Sequence, residues 1–127
     1  MTDESSAFIC WKTRKQSIVA LSSCEAEYVA MAHAVQEGLF LQKMFADLYG
    51  KNANTSITLH VDNQGAVALS KNKMCQQRSK HIDVKYHFIR SHIENGSVFP
   101  VHVSTNLNKA DALTKPVSGK RLTTLLY

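Results

Sequence analysis

The sequence lacks long apolar runs, paired cysteines and a leader-like start. No run approaches the roughly 18 apolar residues that a membrane-spanning helix needs, so we expect no membrane segment. The three cysteines, Cys10, Cys24 and Cys75, form no CxxC pair, which argues against structural zinc and for a reducing compartment. Because the N-terminus has neither a basic nor an apolar stretch, we expect no signal peptide and an intracellular location, cytoplasmic or nuclear.

Positive charge is concentrated in one stretch of the chain. Hydrophobic residues make up 44% of the 127 residues, as in a single globular domain, and the formal net charge is +5. Between positions 71 and 92, where Asp83 is the only acid, the basic residues are Lys71, Lys73, Arg78, Lys80, Lys85 and Arg90. Such a cluster suits a polyanion such as nucleic acid, although a solvated, lysine-rich surface explains it equally well.

Apolar periodicity predicts alternating strands and helices. The first element, over 8–21, is a strand, or a strand and an extended run. It is followed by a helix over 22–48, a strand over 56–62, helices over 66–69 and 82–93, a strand over 98–103 and a short last helix before Pro116. The long helix begins with a capping box, since Ser22 is followed three residues later by Glu25. This order indicates an α/β fold with a layered sheet.

The same periodicity predicts which residues share a face of a helix or strand. On the long helix, the stripe expected to face the sheet comprises Glu27, Ala30, Ala34, Gly38, Leu41 and Phe45. A helix-interior glycine costs about 1 kcal/mol relative to alanine, so we expect a packing reason at Gly38. The helix over 82–93 aligns Ile82, Tyr86, Ile89 and Ile93, and the last strand aligns Phe99, Val101 and Val103.

Three acids stand where α/β enzymes place their chemistry. Asp62 ends a predicted strand, Glu27 lies in a first helical turn, and Asp111 begins the last helix. Each acid also has a purely structural explanation. Aspartate is common in turns, and an acid in the first turn of a helix interacts favourably with the helix dipole. Three acids converging from three elements would suit two-metal phosphodiester hydrolysis, in which hard oxygen ligands hold two Mg²⁺.

Four motifs carry a resemblance to a known family. Residues 10–28 read CWKTRKQSIVALSSCEAEY, residues 61–66 VDNQGA, residues 78–90 RSKHIDVKYHFIR and residues 109–116 KADALTKP. In this order they resemble the ribonuclease H domain of the Pol polyprotein of copia-type LTR retrotransposons. The resemblance implies a partial ribonuclease H-like domain over 8–116, a non-matching N-terminal segment over 1–7 and a C-terminal tail over 117–127.

The resemblance also implies an activity and a site. The family hydrolyses the RNA strand of RNA–DNA hybrids during reverse transcription, joined to an upstream reverse transcriptase in the same polyprotein. Glu27, Asp62 and Asp111 match three of its four metal-binding acids, which implies catalytic and metal-binding roles with two Mg²⁺, or Mn²⁺. Lys80, Lys85 and Arg90 are expected to contact the phosphates of a hybrid or another nucleic acid.

The family's first aspartate has no match, since only ten residues precede Trp11. By resemblance the sheet order is 3-2-1-4-5, so we expect an incomplete ribonuclease H-like α/β fold without strands 1 and 2, with unpaired edges and low stability. The expected function is a nuclease fragment that is inactive as this chain. Two alternatives stay open: a non-catalytic nucleic-acid-binding module, and a truncated transposon-derived product with no selected function.

Overall fold

The computed structural model describes residues 9–50, 56–72 and 80–126, without the side chains of Lys80 and His81. The helices and strands are α1 (Ser23–Tyr49), β1 (Ile57–Val61), α2 (Gln64–Lys71), α3 (Lys80–Glu94), β2 (Val98–His102), α4 (Asp111–Thr114) and α5 (Gly119–Leu126), with a 3-10 turn over Thr105–Leu107. This confirms the mixed α/β composition predicted from the sequence. None of the described helices is long and apolar enough to cross a membrane.

The start of α1 is fixed by the predicted capping box. The Ser22 hydroxyl accepts a hydrogen bond from the Glu25 backbone N–H at 3.1 Å, and the Glu25 carboxylate accepts one from the Leu21 N–H at 2.7 Å. The first bond satisfies a donor that the first turn of a helix leaves unpaired, and the second ties the residue before the cap to that turn. The helix ends at Gly50, whose φ of 87° favours glycine.

The two described strands form a parallel pair, in which Ile57 lies opposite Val98 and Val61 opposite His102. Val98 and Pro100 are buried, whereas Phe99 and Val101 are exposed. Phe99 and Val101, which the alternation aligns, therefore share the face of β2 that is turned away from the core. Because α1 and α3 cover the face that carries Val98, the alternation of the strand directs the larger residues outward.

One hydrophobic core lies between the helices and the inner face of the sheet. Its buried members are Tyr28, Met31, Ala32, Val35, Val61, Ala66, Val67, Tyr86, Ile89 and Val98. The predicted face of α3 is confirmed, since Ile82, Tyr86 and Ile89 are buried and Ile93 packs against the core.

The predicted stripe of α1 was partly wrong. Ala30 and Ala34 are exposed, and the packed face carries Tyr28 and Val35 instead. Large side chains remove more apolar surface from water than alanine does, so they decide which face turns inward. The packing reason at Gly38 is confirmed, because a Cβ there would lie 3.0 Å from Cδ1 of Ile57.

Residues 9–22 form an extended arm along α1 and contain no strand. Gln16 donates a side-chain hydrogen bond to the Ala26 carbonyl at 2.7 Å, and Lys12 pairs with Glu37. The expected strand over 8–21 is absent from the described part of this segment. A strand requires a backbone partner, and β1 and β2 pair only with each other in the described residues, so side-chain contacts hold the arm.

Candidate functional site

Glu27 and Asp62 form a pair of carboxyl groups at the carboxyl end of β1. Asp62 directly follows the strand, and Glu27 lies near the start of α1. Their side chains are in hydrogen-bonding contact, and burial, the negative charge of Asp62 and this contact raise the pKa of Glu27. The raised pKa means that the ionised form of Glu27 is disfavoured beside Asp62.

Helix capping does not explain Glu27 and Asp62, because other residues cap the helices at this end of the sheet. The Asn63 side-chain oxygen accepts a hydrogen bond from the Ala66 N–H at 3.0 Å and caps α2. Glu25 serves the capping box at the start of α1. The helix caps at this end of the sheet are therefore supplied by residues other than Glu27 and Asp62.

Asp111, the first residue of α4, is in a different environment. Its Oδ1 accepts a hydrogen bond from Lys115 Nζ at 2.9 Å, and its Oδ2 accepts one from Arg121 Nη2 at 2.8 Å. The Lys115 hydrogen bond, and then that of Arg121, hold the pKa of Asp111 below its usual value although burial opposes this. The residue is only 3% exposed, and each of its carboxylate oxygens accepts a hydrogen bond from a cationic side chain.

The three predicted acids share one electrostatic neighbourhood. The negative charges of Asp62 and Asp111 both raise the pKa of Glu27, while the positive charge of Lys115 lowers it. The positive charge of Lys115 interacts with Asp62 as well as with Asp111. The three predicted acids are therefore electrostatically linked, although only Glu27 and Asp62 form a hydrogen-bonded carboxyl pair.

This arrangement does not fit a metal centre built on three carboxylates. Within residues 9–50, 56–72 and 80–126, no group of three or more His, Cys, Asp or Glu side chains could hold a metal ion. Both oxygens of Asp111 are bound by cationic side chains. Of the three predicted acids, only Glu27 and Asp62 have carboxylate oxygens that no cationic side chain is seen to bind in the described residues.

The predicted phosphate-binding residues are not equivalent. Arg90 donates to Glu94 and to the Tyr86 hydroxyl, each at 2.9 Å, and to the Asn72 carbonyl at 3.2 Å. Its side chain is only 16% exposed. Lys85 lies five residues earlier on α3, about 140° around the helix, and the side chain of Lys80 lies outside the described part. Arg90 is therefore engaged within the protein, where it ties α3 to the end of α2.

Sequence reasoning missed the two cations that hold Asp111. Lys115 stands four residues after Asp111, a spacing at which helical side chains meet, so the motif contained a usable signal. Arg121 lies in the segment expected to be a tail, and nothing in its neighbourhood indicated a partner ten residues earlier. That segment forms α5, and its Leu125 is buried.

Comparisons with known proteins identify relatives over most of the chain. The chain is 41% identical over 109 residues, or 86% of its length, to the retrovirus-related Pol polyprotein from transposon TNT 1-94 of Nicotiana tabacum. It is 39% identical over 110 residues, or 87% of its length, to those from transposons RE1 and RE2 of Arabidopsis thaliana. Its homologues are retrovirus-related Pol polyproteins.

The chain spans only 7 to 8% of the length of these polyproteins. No protein-family model and no solved structure matches it. The similarity to the Pol polyproteins therefore covers most of this chain but a small part of each relative.

Proposed function

We propose that this chain is part of the ribonuclease H domain of a copia-type Pol polyprotein. In its complete form, that domain hydrolyses the RNA strand of RNA–DNA hybrids during reverse transcription, next to a reverse transcriptase in the same polyprotein. The observation that carries the proposal is the contact between the Glu27 and Asp62 carboxyl groups at the end of β1. The similarity to Pol polyproteins supports the same assignment.

The carboxyl pair costs folding free energy, which is why it points to a function. Two acids in contact repel once both are ionised, and partial burial adds to the penalty. Such pairs with shifted pKa values are concentrated at functional sites, and the carboxyl ends of parallel strands are where α/β proteins bind ligands. Since Glu25 and Asn63 cap the helices, a ligand-binding role explains why Glu27 and Asp62 stand here.

We assign Mg²⁺, or Mn²⁺, to the complete site, with Glu27, Asp62 and Asp111 as its acids in this chain. Hard carboxylate oxygens suit these ions. In the described arrangement only Glu27 and Asp62 offer ligands, because Asp111 is bound by Lys115 and Arg121. We therefore expect the 127-residue chain alone to be inactive on hybrids.

A cleavage assay on a labelled RNA–DNA hybrid, with Mg²⁺ and then Mn²⁺, tests this function. The chain alone should give no product, whereas a fusion to the corresponding upstream segment of the Nicotiana tabacum Pol polyprotein should cut the RNA strand. In the fusion, Asp62→Asn should lower the rate about a hundredfold or more, since misplacement near 1 Å already costs that much. Asp47→Asn, at an exposed acid of α1, is the matched control.

Absence of cleavage by the fusion, or equal cleavage by its Asp62→Asn variant, would contradict the nuclease assignment. Cleavage by the chain alone that disappears in Asp62→Asn would keep the nuclease and overturn the expected inactivity. In that case, another acid would complete the site.

The hybrid is the proposed nucleic-acid partner, with Lys80, Lys85 and Arg90 as proposed contacts. Lys85→Ala should weaken hybrid binding and flatten its salt dependence by roughly one unit, as expected for one lost phosphate contact. Lys43→Ala removes the same charge from α1 and should leave the slope unchanged. Arg90→Ala should lower the thermal midpoint more than the salt slope, because Arg90 makes three hydrogen bonds within the protein.

A further inference from the structure

The second half of α1 carries apolar side chains that the fold does not bury. All buried residues of this helix lie at or before Val35. Beyond it, six apolar residues form two adjacent rows with a spacing of four, and each is exposed or only partly buried. One row comprises Phe40, Met44 and Leu48, and the other comprises Leu41, Phe45 and Tyr49. We call these six residues the apolar end of α1, since contiguous exposed apolar surface of this kind marks interaction sites in soluble proteins.

Two opposite charges flank the apolar end. Lys43 and Asp47 stand about one helical turn apart, next to the row that contains Met44. Both residues are exposed, and neither forms an ion pair in the part of the chain that the structure describes. The two charges cancel, so this flank presents charges of both signs and no net charge to a partner.

We propose that the apolar end of α1 is a dimerisation surface, on which a second copy of this chain packs antiparallel. A two-fold axis at the middle of the apolar end brings Phe40 of one copy close to Tyr49 of the second copy. The same axis brings Lys43 close to Asp47 of the second copy, and because the symmetry repeats each contact, two such ion pairs form. The proposal goes beyond the nuclease assignment and does not depend on it.

The flanking charges favour a second copy over a lipid surface. A helix that lies on a membrane typically carries Lys and Arg along its polar side, whereas one of the two charges here is negative. A surface that binds its own copy needs charges of both signs on either side of its centre, which Lys43 and Asp47 provide. The apolar end is roughly 14 Å long, since each helical residue adds about 1.5 Å, so we expect a small interface and a weak, reversible dimer.

Sedimentation velocity of the full 127-residue chain, from about 1 to 500 µM, tests the dimer. The chain should shift reversibly from monomer to dimer as its concentration rises. Leu48→Glu should raise the dissociation constant about tenfold or more, because it removes an apolar side chain from the interface. Val84→Glu on α3 is the matched control, since Val84 is 66% exposed and Leu48 is 68% exposed. A monomer at every concentration, or equal effects of the two variants, would overturn the dimer.

A charge swap tests the antiparallel arrangement. Lys43→Glu and Asp47→Lys should each raise the dissociation constant about threefold to tenfold, because each replaces both ion pairs by contacts between like charges. The double variant restores opposite charges and should return to within about twofold of the unaltered chain. A double variant that dimerises no better than the single variants would overturn the arrangement.

Hydrogen–deuterium exchange on the unaltered chain, at low and at high concentration, needs no variant. Exchange of the backbone amides at the apolar end should slow at high concentration, whereas that of α3 should not change. Equal exchange at both concentrations would overturn the apolar end as the dimerisation surface, and this measurement decides if a variant does not fold.

The fusion used for the cleavage assay separates a second copy from the upstream segment as the partner. A fusion that dimerises with the same dependence on Leu48 supports the second copy. A dimer of the chain that is lost in the fusion would overturn the proposal and assign the apolar end to the upstream segment. Because a weak dimer dissociates at nanomolar concentrations, Asp47→Asn and Lys43→Ala remain controls in dilute cleavage and binding assays. The dimer and the nuclease assignment therefore fail in different experiments.

Discussion

Carboxyl groups lie in opposite electrostatic environments in two neighbouring regions of this molecule. At the end of β1, Glu27 faces another carboxyl group, and its pKa is raised. At the start of α4, Asp111 faces two cationic side chains, and its pKa is lowered. Burial opposes ionisation in both regions, so the difference comes from the charges of the neighbours.

The two environments have opposite effects on the stability of the fold. An acid held ionised by cations contributes to folding free energy, whereas an acid kept beside another acid reduces it. The Glu27–Asp62 pair is then a site held at a cost to the fold. Asp111 is a structural anchor for α5, because it binds Arg121.

The largest expected effect comes from removing the anchor. Asp111→Asn leaves Lys115 and Arg121 without their carboxylate and should lower the unfolding free energy by about 1–3 kcal/mol, measured by urea denaturation at pH 7. The value lies below that of a deep buried pair because the Lys115 and Arg121 side chains are 52% and 31% exposed. Asp62→Asn, which relieves a repulsion, should show no loss. Equal losses of unfolding free energy in Asp111→Asn and Asp62→Asn would show that the two acids do not differ in their effect on stability.

A smaller effect of opposite sign is expected in the carboxyl pair. Glu27→Gln keeps a hydrogen-bonding side chain and removes one charge from the pair, so it should raise the unfolding free energy at pH 7 by about 0.5 kcal/mol, discounted for solvent screening. Glu25→Gln removes the same charge two residues earlier and should not stabilise, because Glu25 accepts the Leu21 N–H. A loss of stability in Glu27→Gln would show that the pair is favourable when ionised.

Local sequence signals predicted the elements better than their packing. The capping box located the start of α1, and Gly38 indicated a close approach that proved to involve Ile57. By contrast, Ala30 and Ala34 of the predicted stripe are exposed. Periodicity gives the direction of a helical face only coarsely, and the bulk of Tyr28 and Val35 decided it here.

The same limit applies to the arm and to the site. The short apolar run that ends at Trp11 is typical of a strand, but a strand forms only where a partner strand lies alongside, which no local pattern reveals. All three acids were predicted from their positions near element ends, and their functional roles stay a prediction. The cations were not, since the approach of Arg121 to Asp111 depends on how α5 returns over α4.

The two regions should also respond to pH in opposite directions. The pKa of Asp111 is lowered from the usual 3.8, so its stabilising contribution is present above 3.8 and is lost as the pH falls through the lowered value. The pKa of Glu27 is raised from the usual 4.5. The loss of unfolding free energy that its ionisation causes is therefore absent below 4.5 and grows as the pH rises through the raised value.

Urea denaturation at several pH values measures both contributions by difference. The stability gap between Glu27→Gln and the unaltered chain should close as the pH falls from 7 to about 4.5. The gap between the unaltered chain and Asp111→Asn should persist there and close only below 3.8. Gaps that close over the same range would mean that the two acids titrate as one group.

The smallest effect concerns Lys115, the one residue that acts on both regions. Its hydrogen bond lowers the pKa of Asp111, and its positive charge also lowers the pKa of Glu27. Lys115→Gln should therefore raise both pKa values, which carbon-13 NMR of the side-chain carboxyl groups can follow residue by residue. Lys120→Gln removes the same charge from α5 and should leave both titrations in place. A rise at Asp111 without one at Glu27 would place Lys115 in the anchor alone, and the two regions would then be electrostatically separate, because no shared cation would connect them.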